Sequence, residues 1–242
     1  EVFAALVAPR LAARQAKAAR AYRLAAAVEN LRDGYLIDEY VGSGEATHRV
    51  LRDLVRVAPS DAPVLVTGET GSGKTLVARL VHLNSTVGEG PLVIVDCADL
   101  GASSLRERLM GEAGAVAQST EGSILLERVD ALDRASQSEL LALLDDGKIP
   151  ARLLSTSAES LRPGEDFSDP LLFRLSAVEL RVPPLRARMD DLRALCDEML
   201  RRELEASGQG TPLALSMEAE RLLQLHGWPG NVRELEQALR AA

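Results

Sequence analysis

The sequence predicts an α/β domain built on a mainly parallel sheet, with a small all-α domain behind it and a helix in front. Three observations carry that prediction. Short apolar runs bounded by turn residues alternate with stretches of helical spacing, as in sheets whose strands are joined by crossover helices. One run leads into the glycine-rich loop Gly68-Glu69-Thr70-Gly71-Ser72-Gly73-Lys74-Thr75, and a helix follows it. After Pro183-Pro184 the spacing is helical throughout. The domains are therefore drawn as 1–34, 35–183 and 184–242.

Residues 1–33 are rich in Ala and Arg, and Leu11, Ala18, Ala21, Ala25 and Val28 recur at heptad-like spacing. Such a repeat fits a connecting helix or a short dimer seam. Ala makes a weak seam and Arg14 interrupts it, which favours a solvated connecting helix. Asp33-Gly34 ends it. Tyr40-Val41-Gly42 opens the next region, and a helix is expected over 45–57. Strands are expected at 64–66, 91–96, 123–126, 152–156 and 177–182, with 91–96 and 123–126 buried on both faces of the sheet. Helices are expected at 103–110 and 137–145, and in the last domain at 190–206, 216–226 and 231–241.

The glycine-rich loop carries the chemistry. It reads G-x-x-x-x-G-K-T. Glycines let the backbone curl so that several N–H groups face one anion, and the helix behind adds its positive end. Lys74 supplies a full charge to the β- and γ-phosphates, and the Thr75 hydroxyl can hold Mg²⁺. The alternative, a glycine turn with an incidental Lys, lacks the strand before and the helix after that this stretch has.

The 242 residues suffice for one large core and a small extra domain. The chain starts at Glu1 rather than Met, as a piece of a longer protein would. Hydrophobic residues make up 46% and charged residues 26%, a globular composition, and the net charge is −8. An acidic domain is a poor DNA binder on its own, because neutralising phosphates needs clustered Lys and Arg. Cys97 and Cys196 have no C-x-x-C spacing, and His48, His82 and His226 show no ligand spacing. Buried reduced thiols in a cytoplasmic protein are expected, not a disulfide or a metal site. No apolar run reaches the length of a membrane span, and no signal peptide is visible.

Several blocks in order make the chain resemble the AAA+ domain of bacterial enhancer-binding proteins, the activators of RNA polymerase carrying sigma-54. They are Tyr40-Val-Gly-Ser, the segment from Val57 to Lys74, Val95-Asp-Cys-Ala, Gln137-x-x-Leu-Leu, Phe173-Arg-Leu, Val182-Pro-Pro-Leu-Arg-Ala-Arg-x-Asp-Asp-Leu and Trp228-Pro-Gly-Asn-Val-Arg-Glu-Leu. The match covers about residues 40–242. The resemblance implies a three-layer AAA+ domain with a helical lid, flanked in the whole protein by a sensory domain and a C-terminal helix-turn-helix. It implies ATP or ADP with Mg²⁺ as cofactors and self-association into a dimer or higher oligomer. It also implies RNA polymerase or a sigma factor as a partner, with DNA contact only through the missing C-terminal domain. The cofactor-binding set it implies is Val41, Gly42, the loop residues Gly68, Glu69, Thr70, Gly71, Ser72, Gly73, Lys74 and Thr75, and Arg233 of the lid. Arg233 lies in the first turn of a helix expected to be capped by Asn231 with Glu234 completing a capping box. A cation there opposes the helix dipole, which makes sense if it faces an anion.

The departures from the family pattern are specific. Where the family reads roughly Gly-Thr-Leu-Phe-Leu-Asp-Glu, this chain reads Gly122-Ser-Ile-Leu-Leu-Glu127-Arg128. Glu127 thus takes the Mg²⁺-associated position, and Thr75 and Glu127 form the expected metal pair. Arg128 takes the position of the catalytic Glu, and Arg cannot accept a proton at neutral pH. Two orientations are open to Arg128: toward a γ-phosphate, or away to pair with a surface acid. Ala158 stands where the family has a γ-phosphate-sensing Asn, and Ser168 where it has an Arg that reaches the neighbouring subunit. The second such Arg, Arg174, is present. The insertion that touches sigma-54 is absent between Ala115 and Gln118, and a second loop is shortened at Pro150-Ala151. The expectation is an ATP-binding regulatory domain with impaired hydrolysis. The alternatives are an active ATPase using Asp130 or Glu127 as base, and a scaffold that no longer binds nucleotide.

Overall fold

A computed structural model describes residues 2–98, 100–158, 161, 164, 167–207 and 215–241, with the backbone alone at 2–14 and 17. Five parallel strands form one sheet in the order β2-β3-β4-β1-β5. They are β1 (Val64–Thr67), β2 (Leu92–Asp96), β3 (Ser123–Glu127), β4 (Arg152–Ser157) and β5 (Val178–Arg181). The register pairs Thr67 with Ser157 and with Arg181, and Asp96 with Glu127, so the carboxyl ends of the strands form one rim.

Each face of the sheet buries its own apolar cluster, which makes three layers. On one face α1 (Val2–Arg32), α2 (Glu45–Val57) and α3 (Lys74–Leu83) pack with Val28, Leu51, Leu54, Val77 and Leu80 against Val66, Leu125 and Leu154. On the other, α4 (Ala102–Met110), α6 (Arg134–Asp145) and α7 (Asp169–Leu175) pack with Leu105, Leu109, Leu140 and Leu171 against Leu65, Ile124 and Leu126. The short α5 (Ala115–Gln118) completes that layer. The lid is α8 (Leu192–Ser207), α9 (Met217–Leu225) and α10 (Asn231–Ala241), built round Leu185, Leu192, Cys196, Trp228 and Leu235.

Several elements differ from expectation for identifiable reasons. The run 91–96 is apolar enough for a strand covered on both faces, yet β2 is the sheet's edge and Ile94 is 44% exposed. Position within a sheet is a long-range property that apolar runs do not encode. Of the heptad-like set, Val28 is buried against the core and Ala18 and Ala21 are exposed, while the side chains of Leu11 and Arg14 lie outside the described residues. The helix α1 therefore docks by its C-terminal end. The helix α7 was not expected, although Pro170 in its first turn is a start signal. Arg152, a cation at the head of an apolar strand, is buried and donates to the carbonyls of Ala58 (2.6 Å) and Val57 (3.2 Å), closing the C-terminus of α2.

The connection from α4 to α5 is a tight turn. The N–H of Gly114 donates to the carbonyl of Gly111 at 2.8 Å, and the N–H of Gly111 to that of Glu107 at 2.8 Å. A Cβ at Gly114 would stand 2.6 Å from the Leu109 oxygen, so glycine is required there.

Candidate functional site

The loop after β1 curls over the rim of strand ends, the place where open parallel sheets hold ligands. Gly71 and Gly73 have φ of +77° and +107°, a region that L side chains resist. Gly73 leads directly into α3, whose first N–H groups lack intrahelical partners and carry the positive end of the helix.

A cleft of about 660 Å³ lies beside the loop. Thr70, Gly71, Gly73, Lys74 and Thr75 line it from the loop, and Asp96, Glu127 and Arg128 from the strand ends. Thr156 of β4 and Ala158 just beyond it close it on another side, and Val232, Arg233 and Glu236 from the lid. Lys74 Nζ donates to the Glu69 carbonyl at 3.0 Å. Burial pulls its ammonium below the usual lysine range, and the charge of Asp130 partly offsets that. Arg233 makes no ion pair among the described residues, so its charge is available to the cleft.

Thr75 Oγ1 donates to Glu127 Oε1 across the mouth of the cleft. A hydroxyl and a carboxylate held together are suitable oxygen ligands for Mg²⁺, which keeps waters and phosphate oxygens as its other ligands. The expected pair therefore meets in space. Arg128 has φ +57°, and its N–H donates to Thr156 Oγ1 at 3.1 Å. Its guanidinium grips Asp96 at the end of the neighbouring strand, with Nε 2.9 Å from Oδ1 and Nη2 on Oδ2. These bonds hold the Asp96 carboxyl below its usual range. Arg128 does pair with an acid, but that acid lines the same cleft, so the side chain stays at the cleft rather than turning away from it.

The other substituted positions are equally concrete. Ala158 offers no polar side chain, and its N–H donates to Asp130 Oδ1 at 3.0 Å. Ser168 starts α7 with its N–H on Gln137 Oε1 at 2.9 Å, and it lines neither this cleft nor the cavity described next. Arg174 lies outside both as well and pairs with Asp145, Nε to Oδ1, at 2.9 Å.

A second cavity, of about 180 Å³, lies on the other side of the loop. Tyr40 and Val41 line it together with Ser72, Gly73, Leu76, Arg188 and residues of α8 and α10. Gly42 is not in the lining. It has φ +133° and packs on Asp191, where a Cβ would stand 2.5 Å from Cγ. Asp191 in turn accepts from the N–H groups of Ser43 and Gly44, both at 2.8 Å, and from Thr47 Oγ1 at 2.6 Å.

The lid is bonded to the loop. The N–H groups of Val232 and Arg233 donate to the Gly71 carbonyl at 3.0 and 3.4 Å. Glu69 meets Arg186 through two contacts of 2.7 and 2.5 Å, which hold its carboxyl down at about 2. Asn231 does not cap α10 as expected. It is fully buried, its Oδ1 accepts from the N–H of Leu185 at 2.8 Å, and its Nδ2 donates to the Thr70 carbonyl at 3.0 Å. Glu234 reaches back to the N–H of Gly230 instead, at 2.8 Å. A side chain buried between two domains is worth more satisfying their backbone than capping its own helix.

Sequence reading missed Arg186, Arg188 and Tyr40 as parts of this region. One signal was present: Glu69 is an acid inside an anion-binding loop and needs a cation close by. The thiols of Cys97 and Cys196 are free and buried, and burial pushes them up to about 12 and about 11. His82 is buried between Ser123 Oγ (2.9 Å) and the Gly90 carbonyl (3.1 Å). Among the described residues no helix is long and apolar enough to cross a membrane.

An α/β domain with a glycine loop at its strand ends and a helical lid bonded to that loop defines an AAA+ domain. The chain belongs to the sigma-54 interaction domain family: residues 41–185 match that domain, and residues 186–242 match the AAA+ ATPase lid domain. Among curated relatives, the transcriptional regulatory protein FlbD of Caulobacter vibrioides is 36% identical over 225 residues, covering 81% of this chain and 49% of that protein. XylR of Pseudomonas putida is 32% identical over 250 residues, covering 90% of this chain and 44% of that protein. The chain thus spans about half the length of the curated relatives it matches. Among solved structures, NtrX from Brucella abortus in complex with ADP superposes with a TM-score of 0.76 at 30% identity, over 82% of this chain and 49% of that one. The same protein in complex with ATP gives 0.76 at 31%, with the same shares covered.

Proposed function

We propose that this chain is the ATP-binding regulatory domain of a bacterial transcription regulator, one that holds ATP–Mg²⁺ or ADP and hydrolyses ATP slowly or not at all. The carrying observation is an intact phosphate loop facing Arg128, a residue that cannot accept a proton and is occupied by Asp96. In this reading the loop N–H groups and Lys74 hold the phosphates, Arg233 meets them from the lid, and Thr75 with Glu127 would hold Mg²⁺. The metal would neutralise phosphate charge. The water-activating step lacks its acceptor, and positioned general-base help is worth about 10²–10⁴-fold in rate. Ala158 and Ser168 stand where the family has an Asn and an Arg, so two further groups of the family's hydrolytic machinery are missing in this reading.

Ala115 and Gln118 are the two ends of the four-residue helix α5, so no protruding segment stands between them, which supports a domain that does not remodel sigma-54 polymerase in the family's usual way. Regulation would proceed by another contact with polymerase, or as an inactive subunit in a cytoplasmic oligomer. The domain limits 1–34, 35–183 and 184–242 are part of this reading. One observation favours a second reading, an active ATPase: Asp130 reaches the N–H of Ala158 beside the cleft and acts electrostatically on Lys74, so a carboxylate is near. ATP affinity by titration calorimetry and phosphate release, measured in parallel, separate the two. Binding without turnover supports the first, brisk turnover abolished by Lys74→Ala supports the second, and absence of binding at millimolar ATP defeats both.

A further inference from the structure

The lid holds the phosphate loop by its carbonyls, and one side chain organises that hold. Asn231 is fully buried, and its φ of +56° lies in the left-handed region that few residues besides glycine enter. Such backbone costs free energy and persists where the surroundings fix it, often at ligand clamps. Here the surroundings do fix it. Oδ1 accepts from the N–H of Leu185 at 2.8 Å, Nδ2 donates to the Thr70 carbonyl at 3.0 Å, and Nδ2 also reaches Glu69 Oε2 at 3.2 Å. The next two amides of α10, those of Val232 and Arg233, close on the Gly71 carbonyl.

Peptide geometry turns this hold into chemistry. In a trans peptide the C=O and N–H point in opposite directions. A Thr70 carbonyl drawn to the lid turns the Gly71 N–H away from it. A Gly71 carbonyl drawn there does the same to the N–H of Ser72, which donates to the Glu69 carbonyl at 3.2 Å. An anion-binding loop works by the direction of its amides, so the groups that aim them matter as much as the amides. From this arrangement we infer that Asn231, which does not line the phosphate cleft, is a positioning residue: it sets the loop's peptide planes for phosphate from the lid side. The inference rests on the proposal that the loop holds nucleotide phosphates. It makes lid docking a condition of phosphate affinity.

The test titrates inorganic tripolyphosphate, which carries no base, into the wild-type chain, Asn231→Gly, Asn231→Asp and Cys196→Ala. Glycine accepts the positive φ and deletes only the side-chain bonds. Asn231→Asp keeps the acceptor for Leu185 but sets a carboxylate oxygen against the Thr70 carbonyl and Glu69, whose own partner is Arg186. Cys196→Ala loosens the buried lid core at a residue far from the loop bonds. Asn231→Gly should bind about two- to tenfold more weakly than wild type, and Asn231→Asp about tenfold or more at neutral pH. Acid separates the two. Glu69 stays ionised down to about 2 and raises the pKa of the introduced carboxyl, which on protonation regains a hydrogen to donate to Thr70. Relative to wild type at the same pH, Asn231→Asp should therefore recover between about pH 7.5 and 5.5, while Asn231→Gly should not. Cys196→Ala should bind as wild type does. The assignment is overturned if neither Asn231 variant binds more weakly, if Cys196→Ala weakens binding as much, or if acid brings no recovery in Asn231→Asp. Should Asn231→Gly fail to fold, Asn231→Asp with its pH profile decides alone. A wild type that binds tripolyphosphate equally to both Asn231 variants sinks the positioning role and leaves the loop reading standing. A wild type that does not bind it removes both.

Discussion

Arg128 and Asp96 close a two-pronged ion pair across the ends of β3 and β2, at the edge of the cleft that Lys74 and Thr75 line from the other side. The pair constrains any attempt to restore hydrolysis. Arg128→Glu alone would set a second carboxylate against Asp96, and like charges at that distance turn each other away. The double variant Arg128→Glu with Asp96→Asn removes the clash. Phosphate release is expected to rise little in the single variant and by about 10²-fold or more in the double. Equal rates in both would show that Asp96 does not constrain position 128.

Lys74→Ala removes the one full charge that the loop itself brings to the phosphates. Charge-assisted hydrogen bonds are worth about 1.5–3 kcal/mol, so ATP affinity should fall by about ten- to a hundredfold. Calorimetric titration reads this directly. Because burial already disfavours the charged ammonium, the apo variant should melt no lower than wild type.

The Glu69–Arg186 contact makes lid docking sensitive to acid. The Glu69 carboxyl sits at about 2 in the folded chain, below its ordinary 4.5. A depressed carboxylate contributes stability that is present above the unfolded value and is lost as pH falls through the folded one. Wild type should therefore melt higher than Glu69→Gln above about pH 5, and the gap should close between about pH 4.5 and 2. Both partners are partly exposed, so the gap will be modest and will shrink in salt. A gap that widens on acidification would contradict the assignment.

Gly71→Ala tests the bond between loop and lid from the other side. The φ of +77° disfavours a Cβ by about 1–2 kcal/mol. The added carbon would also stand 2.2 Å from the Gly230 oxygen. The melting temperature should drop by at least about 2–4 °C, the shift expected per kcal/mol for a chain of this size. An unchanged melt would mean that the lid does not rest on Gly71.

Much of the fold is legible because it is written locally. Leu125 and Leu126 lie in an apolar run that reads as a strand, and Gly68 to Thr75 has one reading once a strand precedes it and a helix follows. Thr75 and Glu127 were paired from motif order alone, and they touch. What stayed hidden is non-local. Ile94 is exposed because β2 happens to be the sheet's edge, and Asn231 abandons its helix because the loop lies against it. Arg128 turns to Asp96 because the register sets Asp96 beside Glu127. Arg188 and Tyr40 are far apart in the chain, and only the folded structure puts one over the other.

The amide of Val232 belongs to the lid and donates to a carbonyl of the loop. It is thus a natural spectroscopic probe of the joint between the two. Its proton resonance and its rate of exchange with deuterated solvent would follow the loop's hold on the lid as ligands are added, with no label on the ligand and no change to the chain.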